Sequence, residues 1–161
     1  GTVTHGHLAE NDNFGGPSGS WSAPRGPATS EVGIGGFAYA PGDLSMISMT
    51  GVPTARLGQP LRFTNLEGGL IYHTVTSCRF PCLGATGTAF PISDGATSTG
   101  RRVDFDSSEL GLGPPGLTAA KNQLDWSLPI DPAAGYAPGE IVTYFCRIHP
   151  FMRGAFEVTD Q

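Results

Sequence analysis

Three side chains with metal-binding chemistry lie close together near the end of the chain. Cys146, His149 and Met152 offer a thiolate, an imidazole and a thioether at equal spacings along one run. β-Forming residues precede and follow this run, so it is predicted to be a loop that joins two strands. Sulfur ligands are soft and imidazole is intermediate, a mixture that favours transition metals over hard, oxygen-preferring cations. The spacing therefore predicts a loop that supplies most of the donors of a metal site.

A site of this kind needs a second imidazole from another part of the chain. His73 is the only histidine outside both the loop and the first 30 residues. Two imidazoles, one thiolate and a weakly bound thioether form the ligand set of a blue-copper electron-transfer site. This mixture suits both Cu(I) and Cu(II) moderately well, so the ligands move little when one electron is exchanged. We therefore predict one copper ion held by His73, Cys146, His149 and Met152.

Each of these residues also has an ordinary structural interpretation. Met152 alone would fill a hydrophobic core, His149 alone would be a surface histidine, and His73 could be a buried strand histidine. A zinc site of His73, Cys78 and Cys82 is a further alternative, although structural zinc usually takes four ligands with closer thiol spacing. The combination of donor types and spacings favours the copper interpretation.

The three cysteines separate into a pair and a single residue. Cys78 and Cys82 flank a short proline-containing segment, and a disulfide between them is possible if that segment turns. We predict this disulfide, with two reduced thiols as the alternative, which leaves Cys146 to bind metal. A disulfide implies an oxidising compartment, so we expect the protein in a periplasm or outside the cell, with any export signal either already removed or not included in the sequence.

The composition of the 161-residue chain excludes several classes of protein. Gly 24 and Pro 14 are spread without a period, which excludes collagen, and no heptads support a coiled coil. No apolar run approaches the roughly 20 residues of a membrane helix. Lys+Arg 9 against Asp+Glu 14 gives a net charge of −5, which argues against a nucleic-acid-binding face. These observations leave one loop-rich, β-rich domain.

Short β-forming segments between Gly and Pro turns are typical of an all-β sandwich with Greek-key connections. The alternation predicts strands over residues 34–39, 60–64, 71–76, 101–105, 124–128, 141–145 and 155–159. Residues 1–30 are predicted to form an extended arm that orders only against the domain or a neighbouring subunit, and residues 31–161 to form the domain itself. A long glycine-rich loop insertion interrupts the strand pattern between residues 83 and 135.

The sequence around the loop resembles the cupredoxins. Residues 144–154 are similar to the copper-binding loop of that family, and the amicyanin branch has the same two spacings and the same His-Pro-Phe-Met-Arg-Gly run. Residues 137–140 resemble the turn before the ligand-bearing strand, and residues 58–76 resemble the segment that leads to the first ligand histidine. The resemblance implies a cupredoxin-like β-sandwich with the arm and the insertion as additions.

Two positions depart from the cupredoxin pattern. Thr74 stands where the family commonly has an asparagine that helps to pin the loop, and Ile148 stands where the amicyanin branch has a proline. We expect Thr74 or Thr76 to make the pinning hydrogen bond instead.

The resemblance implies an electron carrier rather than an enzyme. In such a loop the second histidine lies nearest the surface among apolar side chains, so His149, Pro150 and Phe151 are the expected port for electrons. Met152, as a weak axial ligand, is expected to favour Cu(I) and raise the reduction potential. A small apolar port suits a transient encounter with a redox partner protein. The chain itself is expected to be a monomer or a small homo-oligomer.

The arm contains a second possible metal site. His5 and His7 would lie on the same side of an extended segment, although a solvated polar tail is the simpler interpretation. A metal there would favour the main alternative function, a copper-dependent reductase or oxidase in which the first copper feeds the second. Copper storage or delivery is a third possibility, but Met46 and Met49 form only a pair and are expected in the core.

Overall fold

The computed structural model describes residues 2–3, 23–68, 71–78, 105–113 and 122–161. This part of the chain contains ten strands, one short helix and one turn of 3₁₀ helix. The elements are β1 (Thr2–Val3), β2 (Ala23–Ala28), β3 (Glu31–Gly35), β4 (Ala38–Ala40), α1 (Ile47–Thr50), β5 (Val52–Arg56), β6 (Pro60–Asn65), β7 (Thr76–Cys78), β8 (Asp125–Pro129), the 3₁₀ turn (Pro132–Ala134), β9 (Ile141–Phe145) and β10 (Arg153–Thr159).

The strands form two mixed sheets that pack as a β-sandwich. The six-stranded sheet has the order β1-β2-β5-β10-β9-β7, and the four-stranded sheet has the order β4-β3-β6-β8. Strand β5 runs parallel to both β2 and β10, and β3 runs parallel to β6, whereas the other neighbours are antiparallel. Consecutive strands such as β5 and β6 lie in different sheets. The predicted all-β Greek-key sandwich is confirmed.

Alternation along the strands places one face of each sheet in a shared core. Phe63 of β6 and Tyr144 of β9 are both 0% exposed, and their rings meet edge to face across the two sheets at 5.3 Å between centroids. Phe156 of β10 belongs to the same buried cluster. Burial of side chains of this size stabilises the fold by about 1.5–3 kcal/mol each. The core therefore fixes β6, β9 and β10, whose ends border the candidate site.

Four predicted strands are confirmed, with their ends shifted by at most two residues. Residues 60–64, 124–128, 141–145 and 155–159 correspond to β6, β8, β9 and β10. Each has a clear alternation or a dense run of β-branched and aromatic residues, the patterns on which the prediction depends.

The predicted strand over residues 34–39 is wrong, because the chain reverses in its middle. Strands β3 and β4 form a hairpin whose turn residues, Gly36 and Phe37, have φ values of 58° and 59°. Positive φ at both central residues gives the backbone twist that a two-residue hairpin needs. The predicted strand over residues 71–76 is also wrong except at its last residue, since β7 spans Thr76–Cys78.

Strand β5 is missing from the prediction because Pro53 is a turn signal when it is considered alone. In the structure Pro53 lies inside a strand between β2 and β10, and β2 changes register between Arg25 and Ala28, beside it. An irregularity of this kind accommodates the missing proline N–H.

Part of the predicted arm is a strand of the sheet. Strand β2 pairs with β5, and β1 pairs with β2 through Thr2 and Pro24. His5, His7, Cys82 and most of the predicted strand at 101–105 lie outside the described residues. No helix in the described part of the chain is long and apolar enough to cross a membrane.

Candidate metal centre

The loop between β9 and β10 is held closed by its own backbone. Cys146 follows the last residue of β9, and its N–H donates to the carbonyl of Met152 at 3.1 Å. The N–H of Met152 donates to the carbonyl of His149 at 2.8 Å. The N–H of His149 donates to Sγ of Cys146 at 3.4 Å. These bonds bring the three predicted loop residues together at one end of the sandwich.

His73 reaches the same end from a different segment of the chain. Its side chain is fully buried, and its backbone exchanges two hydrogen bonds with Leu110, at 3.1 and 2.7 Å. Nε2 of the ring lies 2.6 Å from Oε2 of Glu67. Nδ1 is buried and has no hydrogen-bond partner among the described residues. Since a buried polar atom without a partner is costly, Nδ1 is suited to bind an additional group.

His73, Cys146 and His149 form a cluster of three potential ligands. One donor atom from each lies within 4.8 Å of the others, and Sγ of Cys146 is 3.7 Å from Nδ1 of His149. Two donors that each bind an ion at about 2.0–2.3 Å are at most about 4.6 Å apart. The donor separations are therefore close to those that one ion requires, and the one thiolate and two imidazoles suit copper.

Met152 lies in the core next to the cluster. Its side chain is 1% exposed and belongs to the same buried cluster as Cys146, to which its carbonyl is hydrogen-bonded. A buried methionine whose backbone is hydrogen-bonded to Cys146 is compatible with an axial ligand. The axial role stays a prediction.

The electrostatics of Cys146 favour binding of a cation. Burial raises the pKa of the Cys146 thiol, while the N–H groups of Thr74, at 3.3 Å from Sγ, and of His149 act in the opposite direction. Burial also lowers the pKa of His149, and the nearby His73 lowers it further. His149 is therefore neutral near pH 7, the form in which imidazole binds metals. A bound cation compensates the cost of a buried thiolate.

Thr74 makes the hydrogen bond that the sequence analysis assigned to Thr74 or Thr76. Oγ1 of Thr74 accepts a hydrogen bond at 2.8 Å from the N–H of Arg147, the residue that follows Cys146. The segment carrying His73 is therefore hydrogen-bonded directly to the loop carrying Cys146. This is the contact that the sequence analysis expected a threonine to make in place of an asparagine.

Glu67 is a functional candidate that the sequence analysis did not identify. It follows β6 and is itself held in place, because Oε1 accepts the N–H of Gly36 at 3.1 Å and its own N–H donates to Oδ1 of Asn65 at 2.9 Å. The hydrogen bond with His73 lowers the pKa of the Glu67 carboxyl. An ionised carboxylate on Nε2 keeps the proton there and leaves Nδ1 unprotonated, the form that can bind a metal.

Replacing Glu67 with alanine should weaken copper binding about 10- to 100-fold, because the His73 ring loses the group that fixes its orientation. Competition with a chelator of known copper affinity measures the change. The matched control is Glu31→Ala, which removes a glutamate that is 67% exposed on β3. Equal losses of affinity in the two variants would contradict the orienting role of Glu67.

Phe37 was also missed by the sequence analysis. The positive φ of the hairpin turn directs it over the site, where its ring centroid lies 5.0 Å from that of His149 and 5.8 Å from that of Phe151. Phe37 and Phe151 are 42% and 66% exposed. The only signal in the sequence is the glycine pair before Phe37, which indicates a turn without revealing what the turn approaches.

Of the remaining predicted residues, those that the structure describes are not part of this three-residue cluster. Cys78 is buried on β7 and is not part of the three-residue group, whereas Cys146 is a free cysteine. The Cys78–Cys82 disulfide and the His5/His7 site stay predictions, since Cys82 and both histidines lie outside the described residues. The expectation that Met46 and Met49 are core residues is wrong. They are 42% and 71% exposed, because α1 is a single turn on the surface.

Together, the sandwich and the cluster at its end define a cupredoxin-like fold with one thiolate and two imidazoles that suit one copper ion. No protein-family model matches the sequence, and no curated protein matches it at a significant level. Similar architectures occur among solved structures. Auracyanin A, a blue copper protein from Chloroflexus aurantiacus, has a TM-score of 0.45 and 16% identity over 83% of this chain and 100% of its own.

Two further solved structures are similar at the same level. Amicyanin from Paracoccus versutus has a TM-score of 0.38 and 17% identity over 81% of this chain and 80% of its own. A copper-containing nitrite reductase from Thermus scotoductus SA-01 has a TM-score of 0.46 and 16% identity over 83% of this chain. The chain spans 23% of the length of that reductase. The copper assignment depends on the donor geometry of this chain.

Proposed function

We propose that this protein is a blue copper electron carrier, with His73, Cys146 and His149 as the strong ligands and Met152 as the axial ligand. The observation that supports this most strongly is the convergence of three donor atoms within 4.8 Å of one another. A bound copper ion supplies one-electron chemistry by passing between Cu(I) and Cu(II).

The contribution of the protein is a ligand set that does not rearrange. His73 is held through Glu67 and Leu110, and Sγ of Cys146 accepts N–H groups from both ligand-bearing segments. Apolar burial behind the site excludes water. Fixed ligands keep the reorganisation energy of electron transfer small, which is the requirement of a carrier.

The surface over His149 is the proposed port for electrons. His149, Pro150 and Phe151 are joined there by Phe37, whose ring packs against both His149 and Phe151. A small, partly exposed aromatic surface is suited to a brief contact with a redox partner protein. We place this exchange in a periplasm or outside the cell, in line with the predicted Cys78–Cys82 disulfide.

Stopped-flow mixing with inorganic one-electron reagents tests the carrier function. The oxidised, copper-loaded protein should be bleached by one equivalent of reductant per chain and should regain its full colour with one equivalent of oxidant. Consumption of more than one electron per chain, or colour that does not return, would contradict a simple carrier. The first of these outcomes would instead favour a second metal at His5 and His7.

Met152→Gln should lower the reduction potential while copper stays bound, because a harder oxygen donor replaces a thioether that favours Cu(I). We expect at least a tenfold change in the Cu(I):Cu(II) ratio at a fixed solution potential, which is about 59 mV for one electron. A spectroscopic redox titration measures it, with the exposed Met49→Gln as the control. An unchanged potential in Met152→Gln would exclude Met152 as the axial ligand.

A further inference from the structure

A fully buried arginine lies immediately beside the thiolate ligand. Arg147 follows Cys146 in the chain, is 0% exposed and is among the largest buried side chains of the described residues. A guanidinium is not deprotonated in proteins, so a buried arginine is tolerated only with partners that compensate its charge. Neither the copper ligands nor the proposed electron port account for this residue.

The partner of Arg147 comes from the middle of the long insertion. Nε and Nη2 of Arg147 donate to the two carboxylate oxygens of Asp106 at 3.3 and 3.0 Å, and Nη2 lies 4.0 Å from Oε1 of Glu109. The Asp106 side chain is 9% exposed. A bidentate pair of this kind is geometrically specific as well as strong. The described segment 105–113 is therefore fastened to the metal-binding loop.

Two threonines connect the same aspartate back to the loop. The Thr76 hydroxyl donates to Oδ1 of Asp106 at 2.7 Å, and Oγ1 of Thr76 lies 3.0 Å from Oγ1 of Thr74. Because Thr76 uses its only proton on the carboxylate, Thr74 is the donor in the hydrogen bond between the two hydroxyls. Oγ1 of Thr74 then accepts the N–H of Arg147 at 2.8 Å. A chain of hydrogen bonds thus runs from the N–H of Arg147 through Thr74, Thr76 and Asp106 to the guanidinium of Arg147, which closes a ring.

This ring joins the segment that carries His73 to the loop that carries Cys146. Thr74 follows His73 directly, and Arg147 follows Cys146 directly. The N–H of Thr74 also donates to Sγ of Cys146 at 3.3 Å. Movement of Asp106 would therefore be transmitted to both the thiolate and the first imidazole.

We propose that Asp106 and Arg147 are positioning residues of the copper site, which fix Cys146 relative to His73 and set the reduction potential through their opposite charges. The proposal rests on the proposed function and deepens it. Asp106 compensates the positive charge of Arg147, so the reduction potential depends on both charges and shifts when either one is removed.

The two charges predict shifts of opposite sign. Asp106→Asn leaves the guanidinium less compensated, and added positive charge favours Cu(I), the less positive ion, so the potential should rise. Arg147→Met leaves the carboxylate less compensated and should lower the potential. We expect about a tenfold change in the Cu(I):Cu(II) ratio in each direction, which is about 59 mV for one electron.

Spectroscopic redox titrations of the copper-loaded full chain measure these shifts. The matched controls are Asp125→Asn and Arg62→Met, which break an ion pair of 2.9 Å on the four-stranded sheet whose side chains are 47% and 48% exposed. The controls should leave the potential unchanged. Shifts of the same sign in the two buried variants, or no shift, would overturn the proposal, since a merely structural defect has no reason to follow the sign of the charge.

Thermal unfolding of the metal-free chain provides a second, independent test. Removing one partner of a buried pair leaves an uncompensated charge, whereas removing both does not. Each single variant should therefore lower the unfolding midpoint, and Asp106→Asn combined with Arg147→Met should recover part of the loss. If Arg147→Met does not fold, Arg147→Lys replaces it, because lysine retains the positive charge. The reduction potential of Arg147→Lys should differ from that of the wild type by less than half of the shift expected for Arg147→Met. Strictly additive losses in the double variant would overturn the pairing.

These experiments separate the two proposals. A wild-type chain that binds no copper would refute the proposed function, while the metal-free coupling would still test the pairing. A coloured wild type with unshifted variants would refute the positioning role and leave the carrier intact.

Discussion

Cys146→Ser should lose essentially all of the intense visible absorption of the copper protein and bind copper at least about 100-fold more weakly. The absorption requires a thiolate on the metal, and Cys146 is the cysteine whose Sγ lies among the imidazole donors. Serine is close to cysteine in size, but its hydroxyl does not ionise near neutral pH. Absorption spectra and chelator competition on the copper-loaded variant measure both effects.

The matched control for this substitution is Cys78→Ser combined with Cys82→Ser. It removes the other two thiols of the chain and should retain the colour, although loss of the predicted disulfide should lower stability. Colour that survives in Cys146→Ser but disappears in the double variant would assign the thiolate to the other cysteines. That outcome would also revive a metal site built from Cys78, Cys82 and His73.

His73→Gln should likewise abolish the blue-copper spectrum and weaken copper binding at least about 100-fold. Glutamine can still donate to Glu67 through its amide, so the buried hydrogen bond is retained while the free Nδ1 is lost. The effect on metal binding is thereby separated from a simple loss of packing. Copper stoichiometry and spectra, together with the unfolding midpoint of the metal-free variant, measure the two contributions.

The control for His73 is His5→Gln combined with His7→Gln. These histidines are not proposed as ligands of the copper site, so the spectrum and the affinity of that site should not change. A reduced copper content with an unchanged spectrum would indicate a second site in the arm. An unchanged blue spectrum in His73→Gln would contradict the ligand assignment.

The metal-binding loop was predictable because its donor residues are close together in the sequence. The spacing of Cys146, His149 and Met152 specifies a donor sequence, and the dense β-forming run of β9 places its start. The histidine count of the chain then restricts the choice of His73. The strands with regular alternation were also predictable, since their periodicity is present in the sequence itself.

The supporting residues were not predictable because they depend on distant contacts. No local sequence pattern indicates a role for Glu67, Phe37 or Asp106. The first two lie in turns, and Asp106 lies within the glycine-rich insertion. They acquire their roles when β3, β6 and the segment 105–113 meet the loop. The orientation of a ligand is set by these neighbours, whereas its identity is set by its own side chain.

X-ray absorption at the copper edge, with a metal count on the same sample, tests the central claim most directly. The account predicts one copper per chain, bound by one sulfur at short distance and two imidazole nitrogens in both the oxidised and the reduced protein. A copper shell without sulfur, or one whose nitrogen count changes between the two states, would contradict it.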